Sequence, residues 1–295
     1  MHELGSTMRV LRPAPNVLAF YDGRIAGVRA HSEAPNWLDD GAYSLGVSSY
    51  AILDGEEALV FDTHISLAHA RIIRRVLAEA GARRLRVVLS HWHADHVAGN
   101  EAFTDCEIMA NSLTAQLLAD NEAAFAKRNP PINPLIRPNR VFEAPLSLQV
   151  GAIPVELRPA DIHSRDGMVM LLPERDLLFA ADTLEDPITY VSEPDRLTIH
   201  LEHLRRMAGL RIGKILPNHG AEEIIAAGGY PPGLIAATIA YVETLLRCRS
   251  EGDLAQRHLR GFAPAAFATG AISYFAPYEE VHRRNVAAVT AVAQG

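Results

Sequence analysis

The densest run of chemistry-bearing side chains in this sequence is Ser90-His91-Trp92-His93-Ala94-Asp95-His96. Four potential metal ligands fall within six residues, directly after the apolar run Leu85 to Leu89. On an extended backbone His91 and His93 point to the same side. Asp95 and His96 lie in the turn beyond and are free to face a second point. A loop built this way can feed two adjacent cations. Imidazole and carboxylate donors suit zinc, and also iron or manganese. Gly99-Asn100 then turns the chain out of the loop.

Three further candidates occupy equivalent places. His163 comes after the strand-like run around Val155 to Leu157, Asp182 directly after Leu177 to Ala181, and His219 after Ile212 to Leu216. Each is a polar ligand type just past an apolar run. Strand ends at one edge of a sheet converge, so residues far apart in sequence can meet there. A single histidine after a strand is usually a surface or internally satisfied residue. His-x-His-x-Asp-His needs four positions to agree, and the three later residues add to it, so one shared site is the better reading.

The elements that must position these residues are legible in outline. Val17 to Tyr21 is a short apolar run ending at the turn pair Asp22-Gly23. Ser48 to Leu53 and Ala58 to Phe61 flank Asp54-Gly55-Glu56-Glu57, a hairpin signal, and Asp62 closes its second strand. Ser66 caps a helix running to about Ala80, with Ala68, Ile72, Val76 and Ala80 on one face and Gly81 as its stop. Leu85 to Leu89 reads as a buried strand, and strand, helix, strand in this order indicates mixed α/β layering. Residues 111 to 128 read as helix, and Asn129 to Pro138, with four prolines, as a loop. Leu146 to Leu157, Gly167 to Leu172, Leu177 to Ala181 and Ile212 to Leu216 read as strands, and Asp195 to Ala208 as helix. From about residue 231 the pattern is helical.

The motif His91-x-His93-x-Asp95-His96, followed in order by His163, Asp182 and His219, resembles the metallo-β-lactamase superfamily. Val60-Phe61-Asp62-Thr63, Leu178 to Thr183 and Pro217-Asn218-His219-Gly220 are similar to other strand ends of that family. The resemblance spans about residues 17 to 222. It implies a four-layer αββα sandwich with the metals at one edge of its two sheets. It also implies two metal sites: His91, His93 and His163 hold the first, Asp95, His96 and His219 the second, and Asp182 bridges them. Two divalent ions sharing a water would bring its pKa from about 15.7 to roughly 7, and Asp95 is the residue expected to orient that water or take its proton. Three departures stand out. His64 and Ala181 occupy places where the family commonly has glycine, and Ser164-Arg165-Asp166-Gly167 replaces a common Pro-Gly after the third histidine.

Other residues are weighed for supporting roles. Asp62 is expected to hydrogen-bond behind the ligands, and His64 to add a polar group near them. Tyr190 is a candidate for the substrate pocket. So is His282, which shares a helical stripe with Tyr278, Asn285, Val289 and Val292. Arg137 and Arg140 are weaker candidates for meeting an anionic substrate. Asp161 reads as a solvated carboxylate, and His200 and His203 as non-ligands on a leucine-bearing helix.

The 295 residues are 48% hydrophobic, enough for one large core, so residues 1–230 are expected to form the main domain and 231–295 a helical extension packed on it. The net charge of -7 and the lack of a basic run argue against a nucleic-acid partner. Cys106 and Cys248 form no framework or metal spacing, no secretory leader is visible, and no run is long enough to span a bilayer. These features lead to the expectation of a cytoplasmic enzyme acting on a small molecule away from membranes; oligomeric state is not legible. A dinuclear, zinc-type hydrolase of an ester, thioester or lactone fits the complete ligand set best. An iron-dependent thiol or persulfide dioxygenase on the same fold is the alternative.

Overall fold

Side-chain alternation along the early strands decides what lies on each face of the first sheet. In the computed structural model, which describes residues 3–23, 25 and 27–292, β1 (Met8–Ala14), β2 (Val17–Asp22), β3 (Val47–Asp54), β4 (Glu57–Phe61), β5 (Arg84–Val88), β6 (Glu107–Asn111) and β7 (Arg140–Phe142) pair in chain order. Val17, Ala19, Tyr21, Tyr50, Ile52, Leu59 and Phe61 face a core shared with the second sheet. Their neighbours Leu18, Phe20, Ala51, Ala58 and Val60 face an outer core. There they meet Ile73 and Leu77 of α2 (Leu67–Glu79) and Leu118 and Phe125 of α4 (Ser112–Ala126). The period of two thus feeds two separate cores from one set of strands. Ser66 caps α2 as expected, its hydroxyl accepting from the His69 amide.

The second sheet runs β12 (Lys214–Pro217), β11 (Leu177–Ala181), β10 (Met168–Leu172), β9 (Ile153–Pro159), β8 (Leu146–Val150). Leu146 to Leu157, expected as one strand-like stretch, is two strands turned at Gly151-Ala152. β6 and β7 are short, and β1, though seven residues long, does not alternate between buried and exposed positions, so none of the three stands out in sequence. Between the sheets Phe179 packs edge-on against Tyr50 and Phe61, at 5.4 and 6.4 Å between ring centroids. Such pairs add about 0.5–1.5 kcal/mol each beyond area burial.

Among the described residues beyond 230 there is helix and loop and no strand: α7 (Gly233–Arg247), α8 (Gly252–Ala255), α9 (Leu259–Phe262), α10 (Pro264–Ala268) and α11 (Tyr278–Val292). Leu234, Tyr241 and Leu245 of α7 and Val281 and Val289 of α11 join the same buried cluster as the second sheet and α5 (Leu197–Ala208). Helices therefore cover both outer faces, giving an αββα sandwich with added C-terminal helices. No helix among the described residues is long and apolar enough to cross a membrane.

Two close approaches hold the site end of the sandwich together. The Tyr50 hydroxyl crosses between sheets to the Pro217 carbonyl at 2.6 Å, and the Ser48 amide meets Asn218 at 2.9 Å. Gly99 lies so near the Thr63 carbonyl that a Cβ there would sit 2.1 Å from it. Only glycine lets these two loops touch, and the Thr63 amide then donates to the His96 carbonyl at 2.8 Å.

Candidate metal centre

Strand ends deliver the candidate ligands. His91 and His93 follow β5, and Asp95 and His96 lie on the single turn α3 (Ala94–Val97). His163 comes after β9, Asp182 directly after β11, and His219 two residues past β12. The structure brings all seven together. One ligand atom from each of His91, His93, His163 and Asp182 lies within 4.8 Å of the others, and Asp95, Asp182 and His219 form a second such group. His96 Nε2 is 3.2 Å from Asp182 Oδ2 and 3.3 Å from Asp95 Oδ2, which adds it to the second group.

The outward nitrogen of four of these rings is already committed. His96 Nδ1 lies 2.8 Å from Asp62 Oδ2, His163 Nδ1 2.8 Å from the Tyr190 carbonyl, and His219 Nδ1 2.9 Å from the Gly46 carbonyl. Carbonyl and carboxylate oxygens only accept, so each Nδ1 carries a proton and Nε2 is the nitrogen turned inward, a lone-pair donor wherever the ring is neutral. His91 Nδ1 rests on the Ser90 hydroxyl at 2.9 Å. His93 turns Nδ1 inward, 3.0 Å from His91 Nε2 and 2.9 Å from His163 Nε2.

Three acceptor-type nitrogens this close cannot all be satisfied by protons among themselves. Asp182 Oδ1 is also buried without a hydrogen-bond partner. Inward lone pairs, an orphaned carboxylate oxygen and outer hydrogen bonds that fix each tautomer are what a pair of divalent cations requires. The residues present fit such a pair.

The electrostatics divide the cluster. Burial holds His91 and His163 below the usual imidazole range and brings His93 down to about 3, so all three are neutral donors. Burial also opposes charge on His96 and His219, but Asp182 and Asp95 outweigh it and hold both well above the usual value. Asp95 and Asp182 are correspondingly held well below theirs, His96 overcoming the cost of burial. Without a cation the second group is therefore a hydrogen-bonded ion cluster, and loading it releases protons.

Above the cluster lies an open cavity of about 260 Å³ lined by Asp40, Tyr43, His93, Ala94, Asp95, Arg128, His163, Asp182, Glu185, Tyr190, Ser192 and His219. Tyr190 is on its wall. His282 is not: its ring sits in the C-terminal helices, with Nδ1 on the Tyr241 hydroxyl at 3.0 Å, Nε2 on the Arg257 carbonyl at 3.0 Å, and Phe262 packed at 4.6 Å. The stripe carrying His282 faces other helices and, through its next turn, supports the cavity from behind. Asn285 accepts from the Val191 amide at 2.9 Å and donates to the Thr189 carbonyl at 3.0 Å, and the Tyr278 hydroxyl donates to Glu185 at 3.2 Å.

Asp62 lies behind the ligands, accepting from the Ser90 amide at 2.7 Å as well as from His96. His64 is fully buried and stacks on His69 with ring centroids 4.4 Å apart, and it does not line the cavity. His69 in turn lies 3.2 Å from Asp22. Asp161 is mostly buried, not solvated, and is bound by Arg196. Asp161, Glu193 and His200 also come within reach of a common point, but Arg196 and Arg165 already neutralise the two carboxylates. Arg137 and Arg140 pair with Glu122 and Glu107, away from the cavity wall.

Several residues escaped sequence reasoning. Asn218 places Nδ2 3.3 Å from Asp95 Oδ2, and its place directly before His219 was the only hint. Asp166, in the stretch that replaces the family's Pro-Gly, is buried. It accepts from the Trp92 amide at 3.0 Å and the Thr114 hydroxyl at 2.8 Å, tying the His163 loop to the His91 loop. Glu185 is buried, and burial pushes it up to about 8, so it stays protonated at neutral pH in the metal-free chain.

Next to it Asp186 accepts from the Ser273 amide at 2.7 Å and the Tyr230 hydroxyl at 2.9 Å, and burial pushes it from 3.8 up to about 6. The folded state holds this proton more tightly than the unfolded chain, so stability falls as pH rises between those two values. The loss is at most about 3 kcal/mol and is complete above pH 6. Asp186→Asn is expected to remove that dependence. Urea denaturation of both proteins at pH 4, 5, 6 and 7 tests it, and equal pH slopes would contradict the assignment.

The model of the metallo-beta-lactamase superfamily matches residues 42–219, and the chain belongs to that superfamily. It is 28% identical over 177 residues to the atrochrysone carboxyl ACP thioesterase AgnL7 of Paecilomyces divaricatus, covering 60% of this chain and 51% of that one. It is also 28% identical over 120 residues to the hydroxyacylglutathione hydrolase of Rhodobacter capsulatus, covering 41% of each. The chain thus spans about half or less of the length of these relatives. Among solved structures, the metallo-beta-lactamase from Pontibacter korlensis superposes with a TM-score of 0.57 at 16% identity, covering 78% of this chain and 99% of that one, a likeness of fold.

Proposed function

We propose that the chain is a zinc-dependent hydrolase of small carbonyl esters, with thioesters the foremost class and oxygen esters and lactones the near alternatives. The observation that carries this reading is the convergence of seven ligand side chains, their inward lone pairs fixed by outer hydrogen bonds, at the floor of an open cavity. The mixed imidazole and carboxylate donor set favours zinc. Two relatives carrying names of thioester or acyl-thiol hydrolases support the substrate class.

His91, His93, His163 and Asp182 would hold one cation, and Asp95, His96, His219 and Asp182 the other. Bound there, the pair would supply a water acidic enough to ionise near neutral pH and an electrophile for the substrate's carbonyl oxygen. Asp95 lines the cavity, and its carboxylate takes the proton of the attacking water. Asn218 donates to the same carboxylate and keeps it turned inward. Tyr190 and Ser192 form the wall against which the acyl group rests.

The test is metal analysis of the purified protein combined with thiol release from acyl thioesters, and with hydrolysis of aryl esters and lactones. About two equivalents of zinc are expected, with turnover abolished by a chelator and restored by zinc. Bound iron with oxygen consumption would favour a dioxygenase, and a zinc-loaded protein inert toward all three substrate classes would refute the proposal.

A further inference from the structure

Among the described residues, one cation on the cavity wall is paired with no anion. Arg128 follows α4, and its guanidinium carbon sits 5.3 Å from the centre of the Phe125 ring and 5.6 Å from that of Trp37. The two rings hold it half-buried at the cavity. Among the described residues the guanidinium has no hydrogen-bond or ion-pair partner.

The cavity's own acids are all engaged elsewhere. Asp40 pairs with Arg284 at 2.8 Å. Asp95 and Asp182 face His96 and His219. Glu185 accepts from the Tyr190 amide and the Tyr278 hydroxyl. A guanidinium presents a planar fork of donors that matches a carboxylate, and here that fork is desolvated in part, steadied by aromatic faces, and unmatched.

Resting on the hydrolase reading above, we infer that Arg128 is the subsite for a carboxylate on the substrate. Arg128 and the ligand cluster line the same cavity of about 260 Å³, a volume at or below the small end for ligand pockets. The carboxylate must therefore lie within a few bonds of the scissile carbonyl. The substrate class is a thioester with a free carboxylate close to the reacting bond, on the acyl side as in a half-thioester of a short dicarboxylic acid, or on the thiol side.

The experiment compares kcat/KM for a glutaryl thioester, the matching butyryl thioester, and an acetyl thioester of 3-mercaptopropionate, in wild type, Arg128→Gln and Arg128→Lys. Metal content and melting temperature of each variant are checked alongside. A charge-assisted contact of this kind is expected to favour a carboxylate-bearing substrate by about ten- to hundredfold. The preference should collapse toward one in Arg128→Gln and persist in part in Arg128→Lys, which keeps the charge and loses the fork. Which of the two carboxylate-bearing thioesters is preferred assigns the side.

Glutarate and butyrate binding to the zinc-loaded protein, by calorimetry, separates this inference from the hydrolase reading. If no thioester turns over but glutarate binds about tenfold or more tightly than butyrate, and only when Arg128 is present, the subsite stands and the hydrolase reading fails. Turnover with equal efficiency on charged and neutral substrates, or a preference that survives in Arg128→Gln, overturns the inference and leaves the hydrolase standing. Absence of both turnover and selective binding overturns both.

Discussion

Replacing Asp182 with alanine is expected to lower thioester turnover on the order of a thousandfold or more and to leave the protein unable to retain two cations. Among the described residues Asp182 is the only candidate ligand that belongs to both groups of ligand atoms within the cluster. Its Oδ2 lies 3.2 Å from His96 Nε2, 3.6 Å from His163 Nε2, 3.7 Å from His219 Nε2 and 3.8 Å from His91 Nε2. Among the described residues no other side chain falls in both groups, so Asp182 is the one placed to face two cations at once. Its loss also removes the leading anion that keeps His96 and His219 protonated in the metal-free chain. His163→Ala is the informative contrast, because His163 belongs to one group only. Elemental analysis should find the Asp182 variant depleted at both sites and the His163 variant depleted mainly at one. Two full equivalents in Asp182→Ala, with activity within tenfold of wild type, would defeat the bridging assignment.

The second large effect is expected one layer further out. Asp62 is buried, with Oδ1 accepting from the Ser90 amide and Oδ2 from His96 Nδ1. Asp62→Ala is expected to weaken metal binding by about 10–100-fold. It should also cost about 1–3 kcal/mol of stability through the unpaired Ser90 amide. Asp62→Asn separates the two roles. The amide oxygen can still accept from Ser90, but the amide nitrogen is a donor and cannot accept the proton on His96 Nδ1. His96 is then driven to the opposite tautomer, with Nε2–H pointing at the cation. Asp62→Asn should therefore keep the part of the stability carried by the Ser90 amide, which Asp62→Ala loses, and bind metal at least as poorly as Asp62→Ala. Competitive chelator titration gives the affinities and chemical denaturation the stabilities. Normal affinity in the asparagine variant would show that Asp62 does not set the tautomer.

The seven candidate ligands were legible because their signal is local: a dense six-residue cluster, and single polar residues at or just past the ends of short apolar strands. The order strand, helix, strand gave only mixed α/β layering, and the four-layer sandwich rested on the family resemblance: β2 to β4 are buried on both faces, so the division that sends Tyr50 and Phe61 to one core and Ala51 and Val60 to the other shows only in the folded chain. What could not be read depends on tertiary juxtaposition. Asn218 and Asp166 look like ordinary turn residues until the folded loops bring Asp95 and Trp92 to them. Arg137 and Arg140 seemed as suited to an anion as any arginine near the proline loop, yet surface glutamates take them, while Arg128 a few residues earlier is left on the cavity wall. His282 sits on a helical stripe whose polar residues fitted either a hydrogen-bonded pair on a partly buried face or a wall of the substrate pocket. Periodicity gives a face but not its neighbour, and that neighbour is Tyr241.

Asp62, His64, His163 and Ala181 share an unusual backbone state, with φ of 66°, 71°, 67° and 46°. For a residue with a Cβ this left-handed region costs roughly 1–2 kcal/mol. Asp62 and His163 cannot be relaxed to glycine without losing the carboxylate or imidazole, and at 64 glycine would also empty a buried slot against His69. Position 181 is different, since glycine there would shed strain and forfeit one methyl group. Glycine's greater freedom in the unfolded chain, about 0.5–1 kcal/mol, and the buried methyl, about 0.8 kcal/mol, offset nearly all of that relief. Drift between alanine and glycine at this strand end is therefore close to energetically neutral, which accounts for a chain that keeps the family's geometry while discarding its customary residue.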